Sequence, residues 1–364
     1  MGDVRAAPRY SIVPGDPVEH KGEWLGLADR NLPFAVQGRE ARYSKYYEDN
    51  PLGPAKFFLA RDAQSDSFVG MAAIFPTQLR VVGELVPAAI AGDFAVDDGH
   101  RGLGPAVPLQ RAAVNALGEH GLRCAYGYPN EHSEPITRRV GYTDLGRLTR
   151  YVKVLRSRVV VEQYVESPRL ARLAAGVSRV TVDPLLWAVS RERLPRRRRA
   201  FRVERPARFD DRFSELWETT WQQGTITSER NPELLNWRYE TTREGGIYRI
   251  FALVGPDEQV AGYAVHRVRN GIRHIVDIVF RPSAQVLDIL LGELIRDARR
   301  EGAVAISVIH LGPASLLTRR LRAFGFGRRT EDSSLHVYVP GESELEKALV
   351  EPGNWYFLNA EADI

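Results

Sequence analysis

The chain is predicted to be an α/β (α+β) protein made of two tandem copies of one unit, on three observations. At 364 residues it exceeds what a single ordinary core supports, and two domains of roughly 150 residues are the expectation. Strand and helix signals occur in the same order twice. A closing motif is also repeated: Thr137-Arg138-Arg139-Val140-Gly141-Tyr142 is answered, roughly 185 residues on, by Thr318-Arg319-Arg320-Leu321-Arg322-Ala323-Phe324-Gly325-Phe326.

The elements follow in parallel. Ser11-Ile12-Val13 precedes an amphipathic stretch over residues 18–32, and Phe201-Arg202-Val203 precedes one over 209–221; each predicts a strand and then a helix. Aromatic and polar segments come next, residues 43–51 and 235–240, and run into strands at 55–60 and 248–253. Short polar turns, 63–66 and 255–258, join these to strands at 68–74 and 260–265, which are hairpin signals. A further strand ends at Asp93-Phe94-Ala95-Val96 in the first copy and at Asp277-Ile278-Val279-Phe280 in the second. Helices are predicted over 106–120 and 284–301, closed by Gly121 and Gly302 because glycine reaches the left-handed backbone of a helix C-terminus without strain. Strands at 124–128 and 304–309 complete each copy. The domains are drawn as residues 1–156, a helical and Arg-rich connector over 157–200 that ends in Arg196-Arg197-Arg198-Arg199, and residues 201–364.

Composition excludes several classes. Apolar content of 44% and charged content of 26% are those of a globular protein. No apolar run approaches the roughly 18 residues of a membrane helix, and the start has no signal-peptide core, so a cytoplasmic protein without membrane association is expected. A single cysteine, Cys124 in an apolar stretch, excludes an internal disulfide and a cysteine metal site, and no metal is expected. The net charge of +4 suits a phosphate-bearing ligand. The Arg196–Arg199 run lacks interleaved aromatics and reads as a solvated linker, so no nucleic-acid partner is expected. Oligomeric state is left open.

The segment with chemistry in it is Gly92-Asp93-Phe94-Ala95-Val96-Asp97-Asp98-Gly99-His100-Arg101-Gly102-Leu103-Gly104-Pro105-Ala106. It leaves a strand, turns through glycines and opens a helix, an arrangement that brings backbone N–H groups and the positive end of a helix to an anion. A dinucleotide fingerprint fails because its third glycine would fall at Val107, and a P-loop fails for want of Gly-Lys-Ser/Thr.

Arg101-Gly102-Leu103-Gly104-Pro105-Ala106 resembles the Arg/Gln-x-x-Gly-x-Gly/Ala loop of the GNAT superfamily of acyl-CoA-dependent N-acyltransferases. Tyr126-Gly127-Tyr128-Pro129-Asn130-Glu131-His132-Ser133 looks like that family's fifth strand and its continuation, and Val140-Gly141-Tyr142 like its closing Leu-Gly-Phe. The second copy carries Ala323-Phe324-Gly325-Phe326 but has Arg281-Pro282-Ser283-Ala284 where the loop should be, so it is read as degenerate, for acceptor binding or structure. The resemblance implies two tandem GNAT-like domains, each a mixed, mostly antiparallel twisted sheet flanked by helices, and transfer of an acyl group from acyl-CoA (acetyl-CoA or a longer acyl-CoA) to a primary amine. Asn231-Pro232, Trp237-Arg238-Tyr239 and Asn354-Trp355-Tyr356-Phe357-Leu358 look like tandem-GNAT proteins of bacterial surface-polysaccharide pathways, which implies the amino group of a nucleotide-linked amino sugar as acceptor.

By the same resemblance, Phe94, Ala95, Val96, Arg101, Gly102, Leu103, Gly104, Ala106, Asn130 and Ser133 would hold the coenzyme. Asp93 is the first candidate for catalytic base, with Glu131 and His132 behind it, because most primary amines are protonated near neutral pH and need a proton acceptor. Trp237, Arg238, Tyr239 and His310 are the acceptor-binding candidates. Two positions depart from the family. Pro105 removes a loop donor, and Thr137 stands where many relatives keep the Tyr that protonates the departing thiolate. The alternatives are a non-catalytic tandem-GNAT scaffold and a twin-GNAT ligase that uses aminoacyl-tRNA.

Overall fold

The computed structural model describes residues 8–32, 38–102, 104–157, 181, 184, 187, 190–193, 200–220, 226–239, 247–312, 315–341 and 344–358. Most of the predicted connector, with Arg196–Arg199, and the loop residue Leu103 lie outside the described residues. The chain divides into two compact units that are not consecutive halves. Unit 1 holds residues 1–146 and 332–351; unit 2 holds 147–331 and 352–363.

In unit 1 the sheet runs β1 (Tyr10–Pro14), β2 (Lys56–Asp62), β3 (Ser67–Val81), β4 (Glu84–Val96), β5 (Cys124–Gly127). All neighbours are antiparallel except β4 and β5. The Val82-Gly83 turn between β3 and β4 has both residues at positive φ, +48° and +92°, the geometry whose twist matches a two-residue hairpin. One face of the sheet carries α3 (Ala106–Asn115) over Val69, Ala72, Ile74, Ala89 and Ala125. The other carries an aromatic cluster of Trp24 from α1 (Lys21–Asn31), Tyr43 from α2 (Arg39–Tyr43), Tyr47, Phe57 and Phe75. After α3 the helix stops five residues short of the predicted end; a 3₁₀ turn over Gly118–His120 leads to Gly121 at φ +68°. Cys124 is fully buried, and burial pushes its thiol up to about 12, so it serves as a small core residue.

In unit 2 the sheet runs β7 (Arg202–Glu204), β9 (Tyr248–Val254), β10 (Val260–Arg269), β11 (Ile272–Phe280), β12 (Ala305–Leu311), with only β11 and β12 parallel and the two-residue β8 (Thr227–Ser228) off this path. Order and sense repeat those of unit 1. The Asn270-Gly271 hairpin has φ +52° and +73°, again the two-residue type. One face packs on α7 (Ala284–Arg300), whose Leu287, Leu290, Leu291, Leu294, Ile295 and Ala298 recur at helical spacing and are buried. The other packs on α5 (Asp211–Thr220) and α6 (Pro232–Tyr239) through Phe213, Trp217, Leu235 and Tyr239.

Two strands change places. β6 (Thr143–Val154) follows the first copy, yet its residues Thr149–Val154 pair with β12 in unit 2. β13 (Gly327–Tyr338) follows the second copy, yet its residues His336–Tyr338 pair with β5 in unit 1. Each unit therefore completes its sheet with a strand encoded in the other copy.

Buried on β10, His266 binds its proton far less readily than an ordinary histidine, with a pKa of about 3, because burial and then the Arg273 charge oppose the cation; Arg249 and Arg205 act in the same sense and Asp297 against it. The unfolded chain takes up that proton near pH 6.5 and the folded chain does not, so stability falls as pH drops below 6.5, by about 1.4 kcal/mol per unit. Urea unfolding at pH 7 and pH 5 should show a drop that is smaller by about 2 kcal/mol in His266→Gln; an equal drop in both proteins removes this account.

Candidate active site

Three features of unit 1 follow from the carboxyl end of its parallel strand pair. The first is a bulge. Met71 pairs with Ala95 and Ala73 with Gly92, which leaves β4 one residue longer than β3 across Asp93 and Phe94. Asp93 takes φ +45°, uncommon for a residue with a side chain, and the backbone is re-aimed there. The second is a divergence. β4 and β5 pair only at Ala88–Cys124, Ala89–Ala125 and Ile90–Tyr126, so Phe94, Ala95 and Val96 have no partner on β5. The third is the glycine loop that follows.

In that loop Gly102 and Gly104 sit at φ +78° and +113°, and a Cβ on either would meet nothing within 4 Å. Among the described residues, none accepts the amides of Gly102, Gly104, Ala106 or Val107. α3 begins at Pro105 with no side-chain cap. Uncapped first-turn amides and open glycines together make an anion cradle. Arg101 is a strut for this turn: its Nε donates to the Val96 carbonyl at 2.9 Å, its Nη2 to Asn31 Oδ1 at 3.4 Å, and it pairs with Asp98. The matching helix in unit 2, α7, is capped instead. Ser283 Oγ accepts the Val286 amide at 3.4 Å, so the same end of that helix is satisfied from within.

Asp93 is buried, and both carboxylate oxygens are engaged. Arg42 Nη2 donates to Oδ1 at 2.6 Å and the Tyr47 hydroxyl to Oδ2 at 2.9 Å; Tyr47 accepts in turn from Trp24 Nε1 at 2.7 Å. Burial and then the Asp93 charge push the Tyr47 hydroxyl well above the ordinary value, so it remains a neutral donor. Unit 2 repeats the arrangement. Asp277 accepts Arg230 Nε at 3.1 Å on each oxygen and the Tyr263 hydroxyl at 3.3 Å, with Arg230 and Asp277 fully buried.

The remaining predicted residues are placed as follows. Asn130 and Ser133 bond to each other: Ser133 Oγ accepts the Asn130 amide at 3.0 Å, and Asn130 Oδ1 accepts the amides of His132 and Ser133 at 3.1 and 3.0 Å, a closed turn that leads into α4 (Glu134–Val140). Glu131 and His132 are exposed on that turn. Trp237, Arg238 and Tyr239 do not face one direction. Trp237 is half-buried, Arg238 is buried with Nη1 donating to Ser228 Oγ at 3.3 Å, and Tyr239 lies in the core of unit 2. His310 is buried under the last strand, β14 (Phe357–Leu358), with Nδ1 2.9 Å from the Phe357 carbonyl and Tyr356 against its ring.

That last strand also changes the second copy. In unit 2 the parallel pairing of β11 with β12 stops at Ile275–Val308. β14 then pairs with β12 at His310–Leu358 and Leu311–Phe357, and the Tyr356 hydroxyl donates to the Ile278 carbonyl of β11 at 2.9 Å. Residues 356–358 thus bridge the two strands where they diverge. A Cβ at Gly312 would lie 2.4 Å from the Trp355 carbonyl, so glycine is required for this close approach.

Sequence reasoning missed His336. The strand exchange brings it, fully buried, to Thr137, with Nδ1 2.9 Å from the Thr137 hydroxyl oxygen, and the Thr137 hydroxyl donates to the Glu134 carbonyl at 2.9 Å. Burial lowers the affinity of His336 for a second proton, Asp144 and Glu134 opposing. Ser334 Oγ lies 3.1 Å from its Nε2. Thr137, His336 and the Glu134 carbonyl form one buried contact that ties α4 to β13. Glu134, Asp144 and His336 come close enough to share a cation, but Arg138 Nη2 already bridges the two carboxylates at 2.7 and 2.6 Å. No sequence pattern of the first copy contains His336; only the repeated Thr-Arg-Arg segments hint that a strand would follow each.

These features define an α/β fold with a mostly antiparallel sheet flanked by helices and a divergent parallel strand pair above a glycine loop. Residues 28–144 match the family model for the acetyltransferase (GNAT) domain. Among solved structures, the chain is similar to a conserved protein of Enterococcus faecalis (14% identity, TM-score 0.64, covering 91% of this chain and 72% of that one). It is similar also to a GCN5-related N-acetyltransferase of Anabaena variabilis (15% identity, TM-score 0.63, 91% and 73%). A third is the N-myristoyltransferase of Saccharomyces cerevisiae with bound myristoyl-CoA (11% identity, TM-score 0.58, 98% and 85%). No curated protein matches the chain. Among the described residues, no helix is long and apolar enough to cross a membrane.

Proposed function

We propose that the chain is an N-acyltransferase that moves an acyl group from acyl-coenzyme A to a primary amine, with the chemistry in unit 1. The single observation that carries this reading is the cradle at residues 101–107: open glycines at positive φ and loop and first-turn amides that no described residue accepts. Each charge-assisted bond from such an amide to a diphosphate oxygen contributes about 1.5–3 kcal/mol. The stretch Phe94–Val96, which has no partner on β5, would take the pantetheine arm and place the thioester, with Asn130 and Ser133 on the turn after β5. A neutral amine attacks the thioester carbon, the C–S bond breaks as the C–N bond forms, and the thiolate takes a proton from solvent or from the ammonium formed.

Asp93 serves in this reading as a positioning residue. Its two oxygens hold Arg42 and Tyr47, which fixes the strained backbone of the bulge that aims Phe94–Val96. The exposed Glu131 and His132 are the groups left to accept the amine proton through water. Unit 2, with its helix end capped and its strand gap crossed by β14, is assigned to acceptor binding or to structure. Resemblance at residues 231–239 and 354–358 extends the acceptor to the amino group of a nucleotide-linked amino sugar; Trp237 and Tyr356 are half-buried aromatic side chains of that set.

Calorimetric titration with coenzyme A and acetyl-CoA tests the reading. One site per chain is expected, tighter than about 1 mM, which corresponds to about −4 kcal/mol. No heat at millimolar ligand would end the enzyme reading, and two equivalent sites would overturn the assignment of unit 2. A screen of acyl-CoAs against nucleotide-linked amino sugars and simple amines then reads the acceptor.

A further inference from the structure

The glycine loop of unit 1 is entered through a short stem, residues 97–101, and side chains from α1 hold that stem at Asp97. Arg30, in the last turn of α1, donates from Nε to Asp97 Oδ1 at 3.1 Å and from Nη2 to Oδ2 at 2.9 Å. Asn31, the final residue of α1, donates from Nδ2 to Asp97 Oδ1 at 2.6 Å and to the Leu27 carbonyl of its own helix at 3.0 Å. The backbone of Asp97 is fixed as well. Its amide donates to the Val69 carbonyl of β3 at 2.8 Å, and its carbonyl accepts the His100 amide at 2.8 Å. Because Asn31 Oδ1 also accepts from Arg101, one asparagine joins both ends of the stem. His100, between those ends, has Nδ1 3.0 Å from the Tyr10 hydroxyl of β1. Partial burial works against the ionised form of Asp97, but the bonds from Arg30 and Asn31 outweigh it and hold its carboxyl below the usual range.

Gly102 and Gly104 follow the stem at φ +78° and +113°. Glycine reaches that backbone without strain, but it also has the most conformational freedom to lose when a ligand orders it. Ordering on binding subtracts from affinity, so a glycine loop grips an anion better when the chain that feeds it is already set. We propose that Asp97 is a positioning residue for the coenzyme: clamped by Arg30 and Asn31, it sets the stem so that the amides after Arg101 are ready to receive the diphosphate. α1 thereby contributes to coenzyme affinity from 66 and 67 residues away, through the stem. The inference rests on the acyltransferase reading of unit 1 and adds to it the part that α1 plays in the same site.

Calorimetric titration of the full chain with coenzyme A tests this. Asp97→Ala should weaken coenzyme A at least tenfold. Arg30→Gln with Asn31→Ala should reproduce that loss, and adding Asp97→Ala to the pair should cost no more than a further twofold, because all three side chains act as one clamp. Asp97→Asn keeps an acceptor for Asn31 and for Arg30 Nε, and should recover at least threefold over alanine. Asp62→Ala controls for lost stability in the same unit, since it removes the acceptor of a 2.9 Å bond from Arg9 and a 3.0 Å bond from Ser65. It should lower the midpoint by circular dichroism and leave coenzyme A affinity within twofold. The proposal is overturned, with the cradle left in place, by near-native affinity in Asp97→Ala, by no recovery in Asp97→Asn, by losses that multiply in the triple variant, or by an equal loss in Asp62→Ala. A native chain that takes up no coenzyme A at millimolar concentration ends the acyltransferase reading itself, and the proposal with it.

Discussion

Gly104→Glu is expected to abolish acyl transfer and to weaken coenzyme A at least a hundredfold, about 2.8 kcal/mol, while the protein stays folded. The position is open, so the new side chain meets no steric barrier, and α3 starts two residues on with its end uncapped. A glutamate there places a carboxylate within the cradle, where it satisfies the very amides a diphosphate would use and repels the diphosphate itself. The φ of +113° strains any residue with a Cβ, by about 1–3 kcal/mol, so a few degrees of thermal midpoint are lost as well. Gly104→Ala separates the two effects, since it carries the strain without the charge. Coenzyme binding by calorimetry and the midpoint by circular dichroism give the readout. Near-native affinity in the glutamate variant would remove the cradle from the site.

Asp277→Ala should be the most destabilising single change. It removes the carboxylate that accepts two 3.1 Å bonds from Nε of the fully buried Arg230, which keeps its Nη1 bonds to the Thr227 hydroxyl and the Ser228 carbonyl. Breaking a buried pair from one side costs about 3–5 kcal/mol. Over a unit of this size that corresponds to a fall of roughly 10 °C in the midpoint of unit 2. The double change Asp277→Leu with Arg230→Met should recover much of the loss, because it removes the charge instead of orphaning it. If Asp277→Ala unfolds within 1 kcal/mol of the native protein in urea, the pair is not holding the sheet to the segment before α6. Asp93 is the same construction in unit 1, and this likeness supports a positioning role for it.

Much of this architecture was legible in the residues. The order of strands and helices follows from periodicity and from turn chemistry, which are local properties: Gly121 and Gly302 close helices, and the Gly-x-Gly turn precedes α3 as expected. Helix length was less legible. The 3.6-residue pattern continues past Asn115, yet α3 ends there and a 3₁₀ turn over Gly118–His120 follows. The roles of single polar residues were less legible still. Asp93 is placed on its strand by local pattern, while its partners Arg42 and Tyr47 are 51 and 46 residues away and nothing in the local pattern names them.

By itself the sequence determined that one strand-and-helix plan is used twice and that the first copy has a Gly-x-Gly turn ahead of its helix where the second has Arg281-Pro282-Ser283, because backbone freedom and helix entry are written in adjacent residues. Tertiary structure alone decided that β6 and β13 trade units, that β14 bridges the strand gap of the second copy, and that His336 meets Thr137. Those outcomes depend on which distant strands share hydrogen bonds. Strand pairing is settled by register and burial across the whole sheet, and a chain pattern with a period of two looks the same whichever sheet it joins.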